Sequence, residues 1–231
     1  MQRESQEFVD AWWADLFGIN HDEVWRAVTV QPHALLGDYP GLFTAWRGDG
    51  VHVSLPATVD DDTPRTLARS TIDVLQSPEF WASFADTAKG LLIGPATHHY
   101  LDLDPGPDTG VVPIAVDEVS ALREAVSPEE WEESGFADDD VELVFGLHED
   151  GVLVAASSLS PFADEVRDVG VLVAPGARGR QLVDRVGRTA ASHAIREHDL
   201  ARWVTRTTNH ASVEAARRLG FEAWCTQLAI R

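Results

Sequence analysis

Residues 171–183 read Val-Leu-Val-Ala-Pro-Gly-Ala-Arg-Gly-Arg-Gln-Leu-Val, and this stretch decides how the C-terminal half of the chain folds. An apolar run ends at Pro175, small residues follow, and apolar residues then recur at helical spacing from about 179 to 198. The pattern predicts a strand, a tight turn and a long helix. Backbone N–H groups at a helix N-terminus have no intrahelical partners, so this turn could hold an anion such as a pyrophosphate. An ordinary strand, turn and helix without a ligand would explain the same residues.

The glycine spacing of this turn excludes two common phosphate-binding motifs. A P-loop has Lys followed by Ser or Thr after its second glycine, and a dinucleotide-binding loop reads Gly-x-Gly-x-x-Gly. Neither pattern is present around Gly176 and Gly179. An anion bound here would therefore depend on the helix N-terminus, supplemented by the arginine side chains of the turn.

Hydrophobic periodicity and turn residues predict the elements on either side of this stretch. The segment 103–108, Leu-Asp-Pro-Gly-Pro-Asp, reads as a linker and predicts an N-terminal α+β lobe over 1–108 and a second domain over 109–231. The predicted strands are two short strands within 42–55 around Gly48-Asp49-Gly50, followed by 91–93, 111–116, 141–147, 152–158, 166–173, 203–207 and 221–230. The predicted helices are 5–17, 64–75, 78–89, 119–126, 128–134, 179–198 and 212–219. This order predicts an α/β (α+β) fold with a mixed, mostly antiparallel sheet flanked by helices.

Charge is distributed unevenly along the chain. The 231 residues include 38 acidic and 18 basic side chains, for a formal charge of −20, whereas residues 166–231 hold 11 arginines and 6 acidic residues. A positive segment in an acidic chain is a candidate anion site, and a solvated helix face is the alternative. The overall acidity argues against a nucleic-acid-binding protein.

Cysteine content and hydropathy indicate the cellular environment. The single Cys225 excludes an internal disulfide and a cysteine metal cluster, and no histidine pair has the spacing of a zinc site, so no metal is expected. The N-terminus lacks the pattern of a signal peptide, and no run of about 18 apolar residues occurs. A cytoplasmic protein without membrane contact is expected.

Two motifs together resemble those of the GNAT superfamily of acyl-CoA-dependent N-acetyltransferases. Residues 171–183 resemble the family's motif Val-x-Pro-x-x-Arg-Gly-x-Gly-x-Gly/Ala, and the later segment 209–221 resembles its Asn-x-x-Ala/Ser…Gly-Phe motif at the expected distance. With the element order, the resemblance covers residues 111–231. The two Asp-Gly hairpins at 42–51 and 143–152 are loosely alike, so a degenerate GNAT-like half is one interpretation of the N-terminal lobe.

The resemblance implies a set of residues that bind acetyl-CoA. The apolar strand would pair with the pantetheine arm, the turn would hold the pyrophosphate, and an asparagine would bond near the pantetheine. The residues so implied are Val171, Leu172, Val173, Arg178, Gly179, Arg180, Gln181, Leu182, Val183 and Asn209. Gln181 and Val183 depart from the family pattern, which has glycine at the first position and glycine or alanine at the second.

The resemblance also implies a reaction in which a neutral amine attacks the thioester directly and CoA thiolate leaves. Glu165 and Asp168 lie where family members often place a carboxylate, and they are the candidates for the base; solvated strand-edge charges are the alternative. The family's frequent tyrosine acid is replaced by Ala216, which leaves Ser212 or water as the proton donor.

Two functions follow from these observations. The first is an N-acetyltransferase acting on a small-molecule or protein amine, to which the acidity of the chain would attract cationic acceptors. The second is an acyl-CoA-binding, catalytically lapsed sensor or a protein that docks a partner, suggested by the departures at Gln181, Val183 and Ala216. Neither the acceptor nor the oligomeric state follows from the sequence, and a homodimer is an open alternative.

Overall fold

A computed structural model describes residues 1–60, 62–137, 140–163 and 166–231. The chain forms two compact units. The C-terminal unit contains His99–Ala223 together with Met1, and the N-terminal unit contains Gln2–His98 and Trp224–Arg231. The chain thus passes between units ten residues before the predicted boundary at 108, and its last eight residues belong to the N-terminal unit.

Helices and strands follow one another in short groups along the described residues, with 3₁₀ segments at His21–Glu23, Val116–Val119 and Pro175–Ala177. The α-helices are α1 Arg3–Phe17, α2 Asp62–Arg69, α3 Ile72–Leu75, α4 Pro78–Ala88, α5 Ser120–Ala125, α6 Pro128–Glu133, α7 Leu182–His198 and α8 His210–Leu219. The strands are β1 Val28–Pro32, β2 Leu42–Arg47, β3 Gly50–Leu55, β4 Leu92–Leu101, β5 Val111–Ile114, β6 Leu143–Glu149, β7 Val152–Ala163, β8 Val166–Val173, β9 Leu200–Arg206 and β10 Glu222–Ile230. Among the described helices, none is long and apolar enough to cross a membrane.

The N-terminal unit places strands in the order β1, β3, β2 and β10. β1 pairs with β3 in parallel, whereas β2 is antiparallel to both β3 and β10. The pairing of β10 with β2, from Thr226↔Trp46 to Ile230↔Leu42, explains why the C-terminus belongs to this unit. Its core includes Trp81 of α4, which is fully buried.

The N-terminal unit differs from the predicted elements at three places. The helix predicted over 64–75 is two helices, α2 and α3. The strand predicted at 91–93 does not end at Gly94-Pro95 but continues to Leu101. The strand β1 was not predicted: its five residues, Val-Thr-Val-Gln-Pro, alternate apolar and polar side chains, but the run is short and ends at a proline.

A buried histidine lies at the centre of this unit. His52 of β3 is fully buried, its Nε2 accepts the backbone N–H of Trp25 at 3.2 Å, and its Nδ1 lies 2.9 Å from Thr29 Oγ1. Burial lowers the pKa of His52 to about 4. The imidazole is therefore neutral in the folded protein, with its proton on Nδ1 facing the threonine hydroxyl.

The C-terminal unit places strands in the order β9, β8, β7, β6 and β5. Only β8 and β9 are parallel in this set, and the other three pairs are antiparallel. One face of the sheet packs against α7 through residues such as Val186, Ala190 and Ala194, all fully buried. The opposite face packs against α5 through Leu122. The predicted fold class, a mixed and mostly antiparallel sheet flanked by helices, is confirmed.

The neighbouring parallel strands β8 and β9 share only a short register. Their pairing runs from Val166↔Leu200 to Asp168↔Arg202 and ends there among the described residues, although β8 continues to Val173 and β9 to Arg206. The two strands therefore separate in the direction of their C-terminal ends. Because parallel strands normally bond along their length, this separation leaves backbone groups of β8 available to another partner.

An ion pair holds the two strands together where the shared register ends. The Asp168 carboxylate accepts two hydrogen bonds from Nε and Nη2 of Arg202, whose residue is only 8% exposed. The guanidinium carbon also lies 3.0 Å from the centroid of the Phe162 ring. A charge this deeply buried depends on its carboxylate partner, since desolvation is otherwise uncompensated.

Replacing Asp168 by Asn is therefore expected to lower the free energy of unfolding by about 2–4 kcal/mol, because the buried guanidinium loses its counter-charge. The measurement is urea unfolding at neutral pH. Glu142→Gln is the matched control, because Glu142 pairs with the adjacent Arg167 but is itself exposed, and its loss should cost about 1 kcal/mol or less. Equal effects of the two substitutions would contradict this role of Asp168.

A second prediction concerns pH. The unfolded chain protonates His52 near pH 6.5 and the folded chain only near pH 4, so the free energy of unfolding should fall as the pH falls between these values. The contribution is at most about 1.4 kcal/mol per pH unit. It should disappear in His52→Gln and persist in His21→Gln, since His21 is exposed. An NMR titration of wild-type His52 with a midpoint near 6.5 would contradict it.

Candidate functional site

A cavity of about 690 Å³ lies in the C-terminal unit where β8 ends and α7 and α8 begin. It is lined by β8, by the turn before α7, by the first two turns of α8 and by the end of α6. Nine of the ten residues expected to bind acetyl-CoA line it, and so does Ser212. Those nine are Val171, Leu172, Val173, Arg178, Gly179, Gln181, Leu182, Val183 and Asn209.

Arg180 is the tenth residue of that set, and its side chain points elsewhere. Its guanidinium donates two hydrogen bonds, of 2.8 and 2.6 Å, to the carboxylate of Glu149 in β6. This pairing lowers the pKa of the Glu149 carboxyl. Arg180 does not line the cavity, so a direct side-chain role for it in binding a ligand there gains no support from the structure.

The turn before α7 contains two residues with left-handed backbone. Gly179 has φ 76° and Gln181 has φ 56°, and regular helix begins only at Leu182, three residues later than predicted. Glycine adopts this conformation freely, whereas a residue with a side chain pays roughly 1–2 kcal/mol. Gln181 stands where the family pattern has glycine. The departure from the pattern thus falls on a position whose backbone favours glycine.

The first turn of α7 forms part of the wall of this cavity. Leu182 and Val183 both line it and occupy the first two helical positions. Amides in a first helical turn lack intrahelical acceptors, and the helix dipole adds positive potential. The turn thus offers the donors that an anion requires.

The positive charge of residues 166–231 is largely compensated within the C-terminal unit. Nine of the eleven arginines form ion pairs with carboxylates, among them Arg178 with Glu130 at 2.8 Å and Arg218 with Asp184 at 2.7 Å. The net positive charge of residues 166–231 therefore does not produce an equally positive potential around their arginines. Arg178 and Arg218 are the arginines among the residues that line the cavity.

The N-terminus of α8 is organised by two predicted residues. The Asn209 side-chain oxygen accepts the backbone N–H of Ser212 at 3.2 Å and caps the helix. The Ser212 hydroxyl oxygen in turn accepts the indole N–H of the buried Trp203 at 3.0 Å. Because the serine oxygen is already an acceptor, its own proton remains available for donation into the cavity.

Two acidic residues of α6, Glu130 and Glu133, line the cavity and were not predicted as site residues. Glu133 forms an ion pair with Arg206 at 2.8 Å and accepts a hydrogen bond from the Asn209 amide at 3.3 Å. Their i,i+3 spacing after the N-cap Ser127 places both on one side of the helix. That spacing was visible in the sequence, but nothing in it indicated which strand the helix would face.

The close approach of two glycines fixes this end of α6 onto β8. A Cβ built on Gly170 would lie 2.4 Å from the Ser134 carbonyl oxygen and 3.0 Å from the Gly135 Cα. The Ser158 hydroxyl also donates to the Gly135 carbonyl at 3.3 Å. Since Gly170 immediately precedes Val171, the α6 carboxylates are held next to the separated part of β8.

Of the two residues predicted as candidates for the base, the structure describes Asp168 but not Glu165. Asp168 is engaged in its ion pair with Arg202 and does not line the cavity. Glu165 lies outside the described residues. Among the residues that are described, no group of three or more His, Cys, Asp or Glu side chains is arranged to hold a metal ion.

Solved structures similar to this chain include several acetyltransferases. A GNAT acetyltransferase from Novosphingobium aromaticivorans has 21% identity and a TM-score of 0.49, with 61% of this chain and 66% of that chain covered. One from Colwellia psychrerythraea has 18% identity and a TM-score of 0.47, with 66% and 62% covered. A Drosophila protein has 15% identity and a TM-score of 0.50, with 67% and 58% covered. The match thus spans less than two thirds of the length of each structure.

The family comparison agrees with the motifs. No curated protein matches the sequence. The model of the acetyltransferase (GNAT) family matches residues 110–221, a range that contains the cavity and both motifs. Residues 110–221 of this chain, just under half of its length, therefore match the acetyltransferase (GNAT) family.

Proposed function

We propose that the C-terminal unit transfers an acetyl group from acetyl-CoA to the amine of a small molecule or a protein. The observation that carries this proposal is the convergence of residues from both motifs on one cavity. Its volume of about 690 Å³ lies within the range of sites for small molecules and cofactors, about 300–1,000 Å³.

The residues present fit the two chemically different parts of acetyl-CoA. Beyond Asp168 the backbone of β8 is no longer paired with β9, so the peptide groups of Val171 and Val173 can bond to the amides of a pantetheine arm as an added strand would. The amides of Leu182 and Val183 and the guanidinium of Arg178 suit the pyrophosphate.

When bound, acetyl-CoA supplies a thioester whose carbonyl carbon is open to attack by an amine. Ser212 holds a hydroxyl proton at the cavity wall and is oriented by Trp203, which makes it the proposed proton donor on the leaving-group side. The acceptor ammonium must lose a proton to a base or a water relay. Asp168 is a poor base while it pairs with Arg202, and Glu165 remains a candidate from the sequence alone.

The proposal is tested by calorimetric titration with acetyl-CoA and CoA, followed by a thiol-release assay over a panel of amines. Binding in the micromolar range and turnover with at least one amine are expected. Absence of binding at millimolar acetyl-CoA would overturn the proposal. Binding without turnover on any amine would favour the acyl-CoA sensor, an alternative that no described contact supports.

Gln181→Gly is expected to raise the free energy of unfolding by about 1 kcal/mol and to tighten CoA binding at least about threefold, because glycine relieves the left-handed backbone and lets phosphate approach it. Unfolding and calorimetric titration measure the two effects. Gln181→Ala is the control, since it removes most of the side chain but keeps the backbone strain. Unchanged or weaker CoA affinity in the glycine variant would count against a phosphate site at this turn.

Ser212→Ala is expected to lower kcat about tenfold or more by removing the proton donor, while the calorimetric affinity for CoA stays close to that of the wild type. Loss of the acceptor for the Trp203 indole also costs about 1–3 kcal/mol of stability, so rates are compared well below the unfolding temperature. Ser212→Thr, which keeps a hydroxyl, should retain activity. Wild-type kcat in the alanine variant would exclude Ser212 as the donor.

A further inference from the structure

The cavity wall contains a second arginine besides Arg178. Arg218 of α8 lines the cavity, and its Nε and Nη2 donate hydrogen bonds of 2.8 and 2.7 Å to the carboxylate of Asp184. Asp184 lies in the first turn of α7, directly after Val183. The ion pair therefore holds the Arg218 guanidinium beside the helix start to which the pyrophosphate is assigned above.

The pair with Asp184 uses only part of the Arg218 guanidinium. A guanidinium carries five N–H donors in a planar fork, and the carboxylate occupies the edge formed by Nε and Nη2. No residue in the described part of the chain accepts a hydrogen bond from Nη1. The Arg218 side chain is also 36% exposed. An anion in the cavity can therefore bind Nη1 without displacing Asp184.

CoA carries two separate phosphate groups on one ribose. The pyrophosphate is attached to the 5′ oxygen and a phosphomonoester to the 3′ oxygen, so a protein that holds one group has the other nearby. The phosphomonoester carries a charge of about −1.5 to −2 at neutral pH and offers three strong acceptor oxygens. Arg178 is assigned above to the pyrophosphate. Among the described residues that line the cavity, Arg218 is then the arginine left for the second group.

We propose that Arg218 binds the 3′-phosphate of CoA and that Asp184 positions the guanidinium for this contact. The inference rests on the function proposed above. A pantetheine thioester attached through its phosphate to a carrier protein has no 3′-phosphate and gains nothing from Arg218. The acyl donor is therefore a free CoA thioester rather than a carrier-bound one.

The first test compares CoA with 3′-dephospho-CoA by calorimetric titration. The wild type should bind CoA at least about fivefold more tightly, as expected for one charged hydrogen-bonded contact at a partly exposed site. Arg218→Gln should reduce this preference to about twofold or less. Because both ligands are measured on the same protein, a general loss of affinity or of folded protein leaves the ratio unchanged.

Arg185→Gln is the matched control. Arg185 donates to Asp108 through the same two nitrogens, and the two side chains are 39% and 21% exposed, against 36% and 24% for Arg218 and Asp184. Arg185 does not line the cavity, so its variant should keep the wild-type preference for CoA.

Equal binding of CoA and 3′-dephospho-CoA by the wild type would overturn the proposal. So would an undiminished preference in Arg218→Gln, or an equal loss of preference in Arg185→Gln. If the wild type binds neither ligand, the proposed function itself fails. The two failures are therefore distinguishable.

The second test follows the phosphorus NMR signal of the bound 3′-phosphate as the pH is changed. A guanidinium in contact with the phosphate favours its dianion, so the second pKa of this phosphate should be lower in the wild type than in Arg218→Gln. The titration midpoint in Arg185→Gln should stay close to that of the wild type. Equal midpoints in the wild type and Arg218→Gln would contradict the contact.

Discussion

The separation of β8 from β9 after Asp168 and Arg202 is the constraint on which the rest of the site depends. Up to this pair the strands share a parallel register, and the buried guanidinium and its carboxylate hold them together. Past it, β8 has backbone groups that β9 does not bond, and a buried backbone group needs a partner. The cavity, the turn before α7 and the capped start of α8 all lie on this side of the ion pair.

The arginines of the C-terminal unit are compensated by individual carboxylate partners, so the net charge of the chain does not describe their surroundings. The chain carries a formal charge of −20, yet nine arginines of its last 66 residues are individually matched to carboxylates. Such pairs are worth little to stability when they are exposed. At the cavity, the guanidinium groups of Arg178 and Arg218 are both already paired with carboxylates.

Much of this unit could be predicted from the sequence, because its signals are local. The apolar run before Pro175, the periodicity of α7 and the Asn209 cap are each fixed by neighbouring residues. The separation of β8 from β9 depends on distant pairing, and so does the contact of Glu130 with Arg178. The left-handed backbone conformation of Gln181 could not be predicted either, because this conformation is typical of glycine and not of glutamine. In the N-terminal unit, β1 was not predicted because its alternating run is only five residues long and ends at a proline, and the membership of β10 depends on pairing with β2.

A crystal structure of the protein with CoA tests the central claim most directly. The account predicts the pyrophosphate against the amides of Leu182 and Val183, the pantetheine bonded to the backbone of β8 between Val171 and Val173, and the Asp168–Arg202 pair intact. CoA bound outside this cavity, or β8 closed onto β9 beyond Asp168 with CoA elsewhere, would contradict it.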